Sequence, residues 1–432
     1  MQKLEYPALG ETVYRDTLPN GLRLSVAVKP GYTRSFAYFA TNYGGADRRF
    51  RLGDKFIDTP MGVAHFLEHK MFDMPEGENA LERLAANGAQ PNAYTSSGIT
   101  AYHFESTVNF DENLRLLLNF VSTPYFTAES VAKEQGIIGQ EIRMYEDAPD
   151  YVVFEELTRC LFRHHPIRDN VAGTVESIAE ISPETLYNCH KVFYNPGNMA
   201  LAVVGDVDPE AVRAAAMELL PPEAGEVPGR DYGPPEAEFP EKKRFLRAME
   251  VSAPQFMIGA RFLPARGGDA LLRQKILSAM ALEYLYGQSS PFYSRLYSAG
   301  LLNTDFFAEA EFSAGTVILV SGGESRDPEA VFEAFCAEAE RAANGGLDEA
   351  YFDRIRRAGY GARIRGLSSF AGLCAQLAAA DFGAYNYLDA FSVTESITAR
   401  ELRDFIGAHL RREALAMSVI VPVSGKDGEP RA

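Results

Sequence analysis

A chain of 432 residues with 46% hydrophobic and 23% charged side chains has the make-up of a globular protein of more than one domain, which excludes disordered and fibrous classes. Its 42 basic and 59 acidic residues leave a net charge of −17, so neither nucleic acid nor an anionic membrane surface is an expected partner. No apolar run approaches the ~20 residues of a membrane span, the four cysteines form no CxxC pair, and no basic segment leads into an apolar run at the start, so a reduced, soluble, cytoplasmic protein is expected.

In chain order, residues 17–24 (TLPNGLRL) predict a hairpin turning at Asn20-Gly21, with a β-rich run continuing to Val28. Residues 36–39 predict a strand, and the alternating residues 100–106 predict another. Helical periodicity covers residues 61–72, 79–87, 113–121 and 128–145. Strands and helices mix without a regular βαβ alternation, which argues for α+β layers.

Residues 221–243 (PPEAGEVPGRDYGPPEAEFPEKK) lack periodicity and are rich in proline, glycine and acid, as a linker is. They divide the chain into an N-terminal half, residues 1–220, and a C-terminal half, residues 244–432. The halves repeat an order of elements. Ser182 and Thr398, 216 residues apart, each cap a helical stretch with an early glutamate, Glu184 and Glu401. Apolar runs at 199–204 and 415–421 follow, leading to Gly205-Asp206 and Ser424-Gly425. Two copies of one α+β module are expected.

The segment His65-Phe66-Leu67-Glu68-His69 carries the chemistry. Residues i and i+4 share a helix face, so both imidazoles can converge on one metal ion. Glu68 projects near the same face and can act as general base on a metal-activated water. The flanking helix is largely apolar, and two imidazoles and a carboxylate buried there would cost several kcal/mol unless paired or metal-bound. A third ligand is needed. Glu134 and Glu141 lie seven residues apart on a later helical stretch, hence on one face, and Glu141 falls 72 residues after His69. One of the two can ligate while the other orients a ligand imidazole.

The HxxEH segment, followed by EQGIIGQEIRMYEDAP at 134–149, resembles the pitrilysin/insulinase family of inverzincin metallopeptidases. LPNGL at 18–22, GAQPNAYT at 88–95 with Thr100 and Tyr102, His165-Pro166, Gly173, YNPGNM at 194–199 and Val204-Gly205-Asp206 extend the likeness over residues 15–210. The resemblance implies two homologous α+β sandwich halves joined by a linker, the first bearing zinc and the second without a metal site. It implies a zinc endopeptidase with His65, His69 and Glu141 as Zn2+ ligands, Glu68 as general base and Glu134 as supporting catalytic carboxylate. Extended peptides would add as a strand to the sheet edge at Asn92-Ala93-Tyr94-Thr95, with Asn92, Ala93 and Tyr94 as substrate-binding residues, inside a chamber between halves, held by backbone hydrogen bonds with limited sequence demand.

Members of this family also place an arginine and a tyrosine, seven residues apart, from a C-terminal half against the substrate backbone. The similar stretch here, at 294–304, has Tyr297 and Thr304 in those places. The resemblance therefore implies a partner: a related peptidase-like chain that supplies the pair, as in two-chain bacterial members and the mitochondrial processing peptidase, or a second copy of this chain. A peptide-binding scaffold subunit with little or no activity is the alternative, which the intact HxxEH and downstream glutamates disfavour. A structural zinc site is disfavoured too, because such sites close with four protein ligands and prefer cysteine. Outside this set, His103 reads as a hydrogen-bonded strand residue and His164-His165 as ordinary loop histidines. Tyr284, Tyr286, Tyr293 and Tyr297 suit either packing or an interface.

Overall fold

A computed structural model describes residues 1–423, so the Ser424-Gly425 turn expected above lies outside the described residues. In chain order the strands are β1 (Gln2–Tyr6), β2 (Glu11–Thr17), β3 (Arg23–Val28), β4 (Ser35–Thr41), β5 (Arg49–Leu52), β6 (Lys55–Asp58), β7 (Ala89–Thr95), β8 (Thr100–Ser106), β9 (Met199–Gly205), β10 (Gly229–Arg230), β11 (Arg244–Met249), β12 (Gln255–Phe262), β13 (Phe307–Ser313), β14 (Thr316–Glu324) and β15 (Ala416–Pro422). The helices are α1 (Val63–Lys70), α2 (Ala80–Ala86), α3 (Phe110–Ser122), α4 (Ala128–Glu146), α5 (Pro149–Leu161), α6 (Val175–Ala179), α7 (Pro183–Phe193), α8 (Pro209–Leu219), α9 (Gly268–Tyr286), α10 (Pro291–Ser298), α11 (Pro328–Gly345), α12 (Glu349–Gly366), α13 (Phe370–Gly383), α14 (Ala390–Ser396) and α15 (Ala399–His409).

Two compact units are present, each discontinuous in sequence. The first comprises residues 1–142, 170–232 and 364–387, and the second residues 143–169, 233–363 and 388 onward. The first unit is built on a seven-stranded sheet ordered β1-β2-β3-β9-β4-β8-β7, in which only the β3–β9 pair is parallel. The β2–β3 hairpin turns where Asn20-Gly21 predicts, with Gly21 at φ +85°. Strand β9 (MALAVVG) is buried along its whole length, as a strand covered on both faces must be. The second unit holds a five-stranded sheet, β11-β15-β12-β14-β13, with β11–β15 parallel and the rest antiparallel. The run β3-β9-β4-β8-β7 has the same order and the same pattern of parallel and antiparallel pairs. The duplication expected from Ser182 and Thr398 is thus visible as topology, and both residues cap their helices, α7 and α15. The fold is α+β: two halves of mixed sheet covered by helices.

The expected halves are continuous, whereas the compact units each contain a helix from the other half. In the second unit, Leu157 and Leu161 of α5 pack with Ile318, Val320 and Ala416. In the first unit, α13 buries the stripe Phe370, Leu373, Cys374, Leu377, Ala378 and Asp381, an i, i+3, i+4 pattern. The Cys374 thiol lies 3.7 Å and 3.5 Å from the carbonyl oxygens of Phe36 and Ala202. Asp381 is 4% exposed, pairs with Arg15 of β2 and accepts a 2.8 Å hydrogen bond from the Ser25 hydroxyl of β3. Asp381→Ala leaves the buried Ser25 hydroxyl without its acceptor and the Arg15 guanidinium without its counter-charge, with its 3.2 Å bond to the Tyr385 carbonyl oxygen remaining. A fully buried pair broken this way costs about 3–5 kcal/mol; with Arg15 a quarter exposed, we expect about 2–3 kcal/mol. The shift in denaturant midpoint measures it, and a loss under ~0.5 kcal/mol would mean that packing alone holds α13.

Of the four tyrosines left open by the sequence, Tyr284, Tyr286 and Tyr293 are buried and Tyr297 is half-exposed. His165 is a buried loop residue whose Nε2 lies 2.9 Å from the Ala314 carbonyl oxygen. His103 sits in β8 with its ring stacked on Phe36 at 5.2 Å, and the expected hydrogen bond is missing at its buried Nδ1.

Candidate active site

Helix α1 begins abruptly because Gly62 adopts φ +89°, a conformation that L side chains rarely take. A Cβ there would stand 2.4 Å from the Ala172 carbonyl oxygen, so only glycine lets the chain pass and turn into the helix. Seven of the eight residues of α1 are buried, and Phe66 and Leu67 are fully inside. The His65 and His69 rings share a face, with centroids 4.6 Å apart. Helix α4 buries Val131, Ile138 and Ile142, which turns Glu134 and Glu141 toward α1 together.

The two glutamates divide their tasks by position. Glu141 lies between the imidazoles: its carboxylate oxygens stand 3.7 Å from His65 Nε2 and 3.6 Å from His69 Nε2. Glu134 takes the outer side of His69, 3.0 Å from Nδ1. That contact fixes the tautomer with the proton on Nδ1 and turns the Nε2 lone pair inward. Lys70, itself buried, reaches both Glu134 and Asp73 and neutralises the carboxylate behind His69.

Glu68 is 8% exposed and accepts a 2.7 Å hydrogen bond from the Thr95 hydroxyl at the end of β7. Burial pushes its carboxyl up from the ordinary value, against the Thr95 bond and the His69 charge. Burial, helped by the His69 charge, pushes His65 down to about 4, so this imidazole is neutral near pH 7. Burial alone would also lower His69, but the Glu134 hydrogen bond and three nearby carboxylates hold it above its ordinary value. Burial would raise Glu134, yet its bond to His69 and the Lys70 charge hold it below the usual carboxylate range.

Among the described residues strand β7 pairs only with β8 and so leaves an open edge beside α1. Successive side chains alternate faces, which puts Ala93 and Thr95 on the Glu68 side and Asn92 and Tyr94 on the other. The Asn92 side chain accepts from the Ala93 backbone N–H at 2.8 Å, and the Tyr94 hydroxyl lies 2.5 Å from that of Tyr38. His65, Glu68, His69, Glu134 and Glu141 thus come together in one unit, with the expected substrate strand alongside. Two neighbours escaped the sequence reading. Lys70 reads as one residue of an apolar helix, and Thr95 reads as the end of the substrate edge strand, with nothing in the sequence pointing to its bond with Glu68.

Residues 57–175 match the insulinase family (peptidase family M16), and residues 180–358 match the peptidase M16 inactive domain. The uncharacterized zinc protease YmfH of Bacillus subtilis (strain 168) is 34% identical over 432 residues, 98% of this chain and 100% of that one. The chain belongs to the M16 insulinase/pitrilysin family. The crystal structure described as an M16-like peptidase from Alicyclobacillus acidocaldarius agrees with this M16 chain at a TM-score of 0.91, with 32% identity over 97% of this chain and 99% of that one. Pitrilysin, at 17% identity and a TM-score of 0.74, shares the fold over 95% of this chain and 45% of its own. The histidines and glutamates described above fall within the M16 match. Among the described residues, His65, His69 and Glu141 are the group with donor atoms gathered closely enough for a metal, all within 4.8 Å of one another. Among the described residues no helix is long and apolar enough to cross a membrane.

Proposed function

We propose that this M16 chain is a zinc-dependent endopeptidase acting on extended peptides or unfolded segments. The observation that carries the reading is the convergence of His65 Nε2, His69 Nε2 and the Glu141 carboxylate beside the buried Glu68. Their N···O separations of 3.6–3.7 Å are too long for hydrogen bonds. They suit a shared ion instead, since ligands ~2.0–2.2 Å from a tetrahedral zinc stand about 3.3–3.6 Å apart. The donor set of two imidazoles and one carboxylate, leaving a fourth position open, is that of a catalytic rather than a structural zinc. Among the described residues His65 Nδ1 is buried without a hydrogen-bond partner, so its Nε2 faces the site without the support that Glu134 gives His69.

Zinc, when bound there, would supply Lewis acidity toward a peptide carbonyl and toward a water, whose pKa such an ion brings to roughly 7. His65, His69 and Glu141 would hold the ion, and Glu134, backed by Lys70, keeps the His69 lone pair aimed at it. Glu68 takes the proton of the attacking water on its carboxylate and delivers it to the leaving amine nitrogen. The open edge of β7 at Asn92-Ala93-Tyr94 holds the peptide as an added strand through the backbone groups that face away from β8, the Ala93 N–H exchanging its bond to the Asn92 side chain for one to the peptide. A partner chain of related architecture, or a second copy, would complete the substrate site. This rests on the second half, where exposed Thr304 and half-exposed Tyr297 stand in place of the arginine and tyrosine expected there.

Cleavage of an unstructured peptide tests the reading, using the full chain together with its partner where cleavage needs one. Activity should vanish on chelation and return with zinc. Because His69 is held above the ordinary ~6.5, its proton competes with the ion, and zinc binding weakens progressively as pH falls below that raised value. The zinc concentration that restores activity should therefore rise on acidification. Cleavage that survives complete zinc removal would refute the proposal.

A further inference from the structure

We propose that Thr95 is the positioning residue of the general base: its hydroxyl clamps one oxygen of Glu68, leaving the other as the oxygen that takes the proton. The inference rests on the reading of Glu68 as general base and adds a residue to it. Thr95 Oγ1 donates to Glu68 Oε2 at 2.7 Å, and Thr95 is the only hydrogen-bond partner of that carboxylate among the described residues.

Behind Thr95 stands a buried support. The Thr100 hydroxyl is 3.2 Å from that of Thr95 and donates at 2.9 Å to the Tyr43 carbonyl oxygen. With the Thr100 proton committed to Tyr43, the single Thr95 proton has two acceptors, Thr100 Oγ1 and Glu68 Oε2. The ionised carboxylate wins, because a charge-assisted bond is roughly twice as strong as a neutral one.

The backbone fixes where Thr95 sits. Thr95 and Thr100 are the closing pair of the β7–β8 hairpin. The hairpin tip is bonded to the loop after β4, from Gly45 N–H to the Ser96 carbonyl and from Ala46 N–H to the Ser97 carbonyl, both at 2.9 Å. A Cβ at Gly44 would meet the backbone of Ser96 to Gly98 at 2.4–2.5 Å, so the tip lies directly against that glycine. A planar carboxylate with one oxygen held by so rigid an anchor has the direction of its second oxygen set as well. A polar hydroxyl on an edge strand would otherwise need only water; here it is spent on a buried carboxylate of another element.

Thr95→Val keeps the shape and removes the donor, and Thr95→Ser keeps the donor. In the zinc-loaded full chain, with its partner where needed, Thr95→Val should lower kcat about 10–100-fold while KM stays within about twofold, since a misplaced catalytic group costs rate rather than binding. Zinc content should be unchanged, Thr95→Ser should recover to within about threefold, and Thr95→Val added to Glu68→Gln should cost nothing further. Full kcat in Thr95→Val, when Glu68→Gln is inactive, overturns this proposal and leaves the general base standing. Loss of zinc in Thr95→Val, or equal impairment of the serine variant, also overturns it, because the role would then be structural. Full activity in Glu68→Gln removes the general base itself, and the Thr95 proposal with it.

Discussion

Glu68→Gln is expected to hold zinc at the level of the unaltered chain while kcat falls by about 10²–10⁴-fold, the usual contribution of a general base. The amide has the size of the carboxylate, and its oxygen can still accept from the Thr95 hydroxyl at the 2.7 Å position. What it cannot do is take a proton from water. Stability should change little or rise slightly, because the carboxylate is buried and its ionised form is disfavoured there. Peptide cleavage assayed with zinc analysis on the same preparation separates the outcomes. Unchanged turnover would refute the general-base role, and loss of zinc would mean that Glu68 is part of the metal-holding set.

His65→Ala should remove stoichiometric zinc and, with it, activity. The imidazole is 8% exposed and neutral near pH 7, so it contributes a ready lone pair and no competing proton. Glu134→Gln should be milder. It weakens the 3.0 Å bond to His69 Nδ1 without touching the inward nitrogen, and such supporting groups are worth about 10–100-fold in metal affinity. A zinc competition titration reads both variants. The ranking is the prediction: near-complete loss for His65→Ala and a partial loss for Glu134→Gln. Equal effects, or a His65→Ala chain that still carries one zinc, would contradict the division of roles between His65 as a ligand and Glu134 as a supporting group.

Much of this site is legible in the sequence because it is local. His65 and His69 meet through one helical turn, and Glu134 and Glu141 share a face through two. The predicted α1 and α4 stretches lie within two residues of the observed elements at each end, and the strand predicted at 100–106 is β8. Other features depend on pairings that no local pattern encodes. Thr95 meets Glu68 across 27 residues, and Asp381 meets Arg15 across 366. The stretch FAGLCAQLAAADFG forms the buried helix α13, and nothing in it names the sheet that buries it. The same holds for α5, which follows α4 in the chain yet packs within the second unit. Lys70 illustrates a different gap: a lysine in an apolar helix reads as an exposed exception until two acidic partners are placed beside it.

The central claim is a single zinc among His65, His69 and Glu141. X-ray absorption at the zinc edge of the purified full chain tests it most directly. One zinc per chain with nitrogen and oxygen scatterers, two of them imidazole, and no sulfur is the predicted result. The signal should be lost in His65→Ala. A substoichiometric ion, or a sulfur shell drawn from Cys160, Cys189, Cys336 or Cys374, would contradict it.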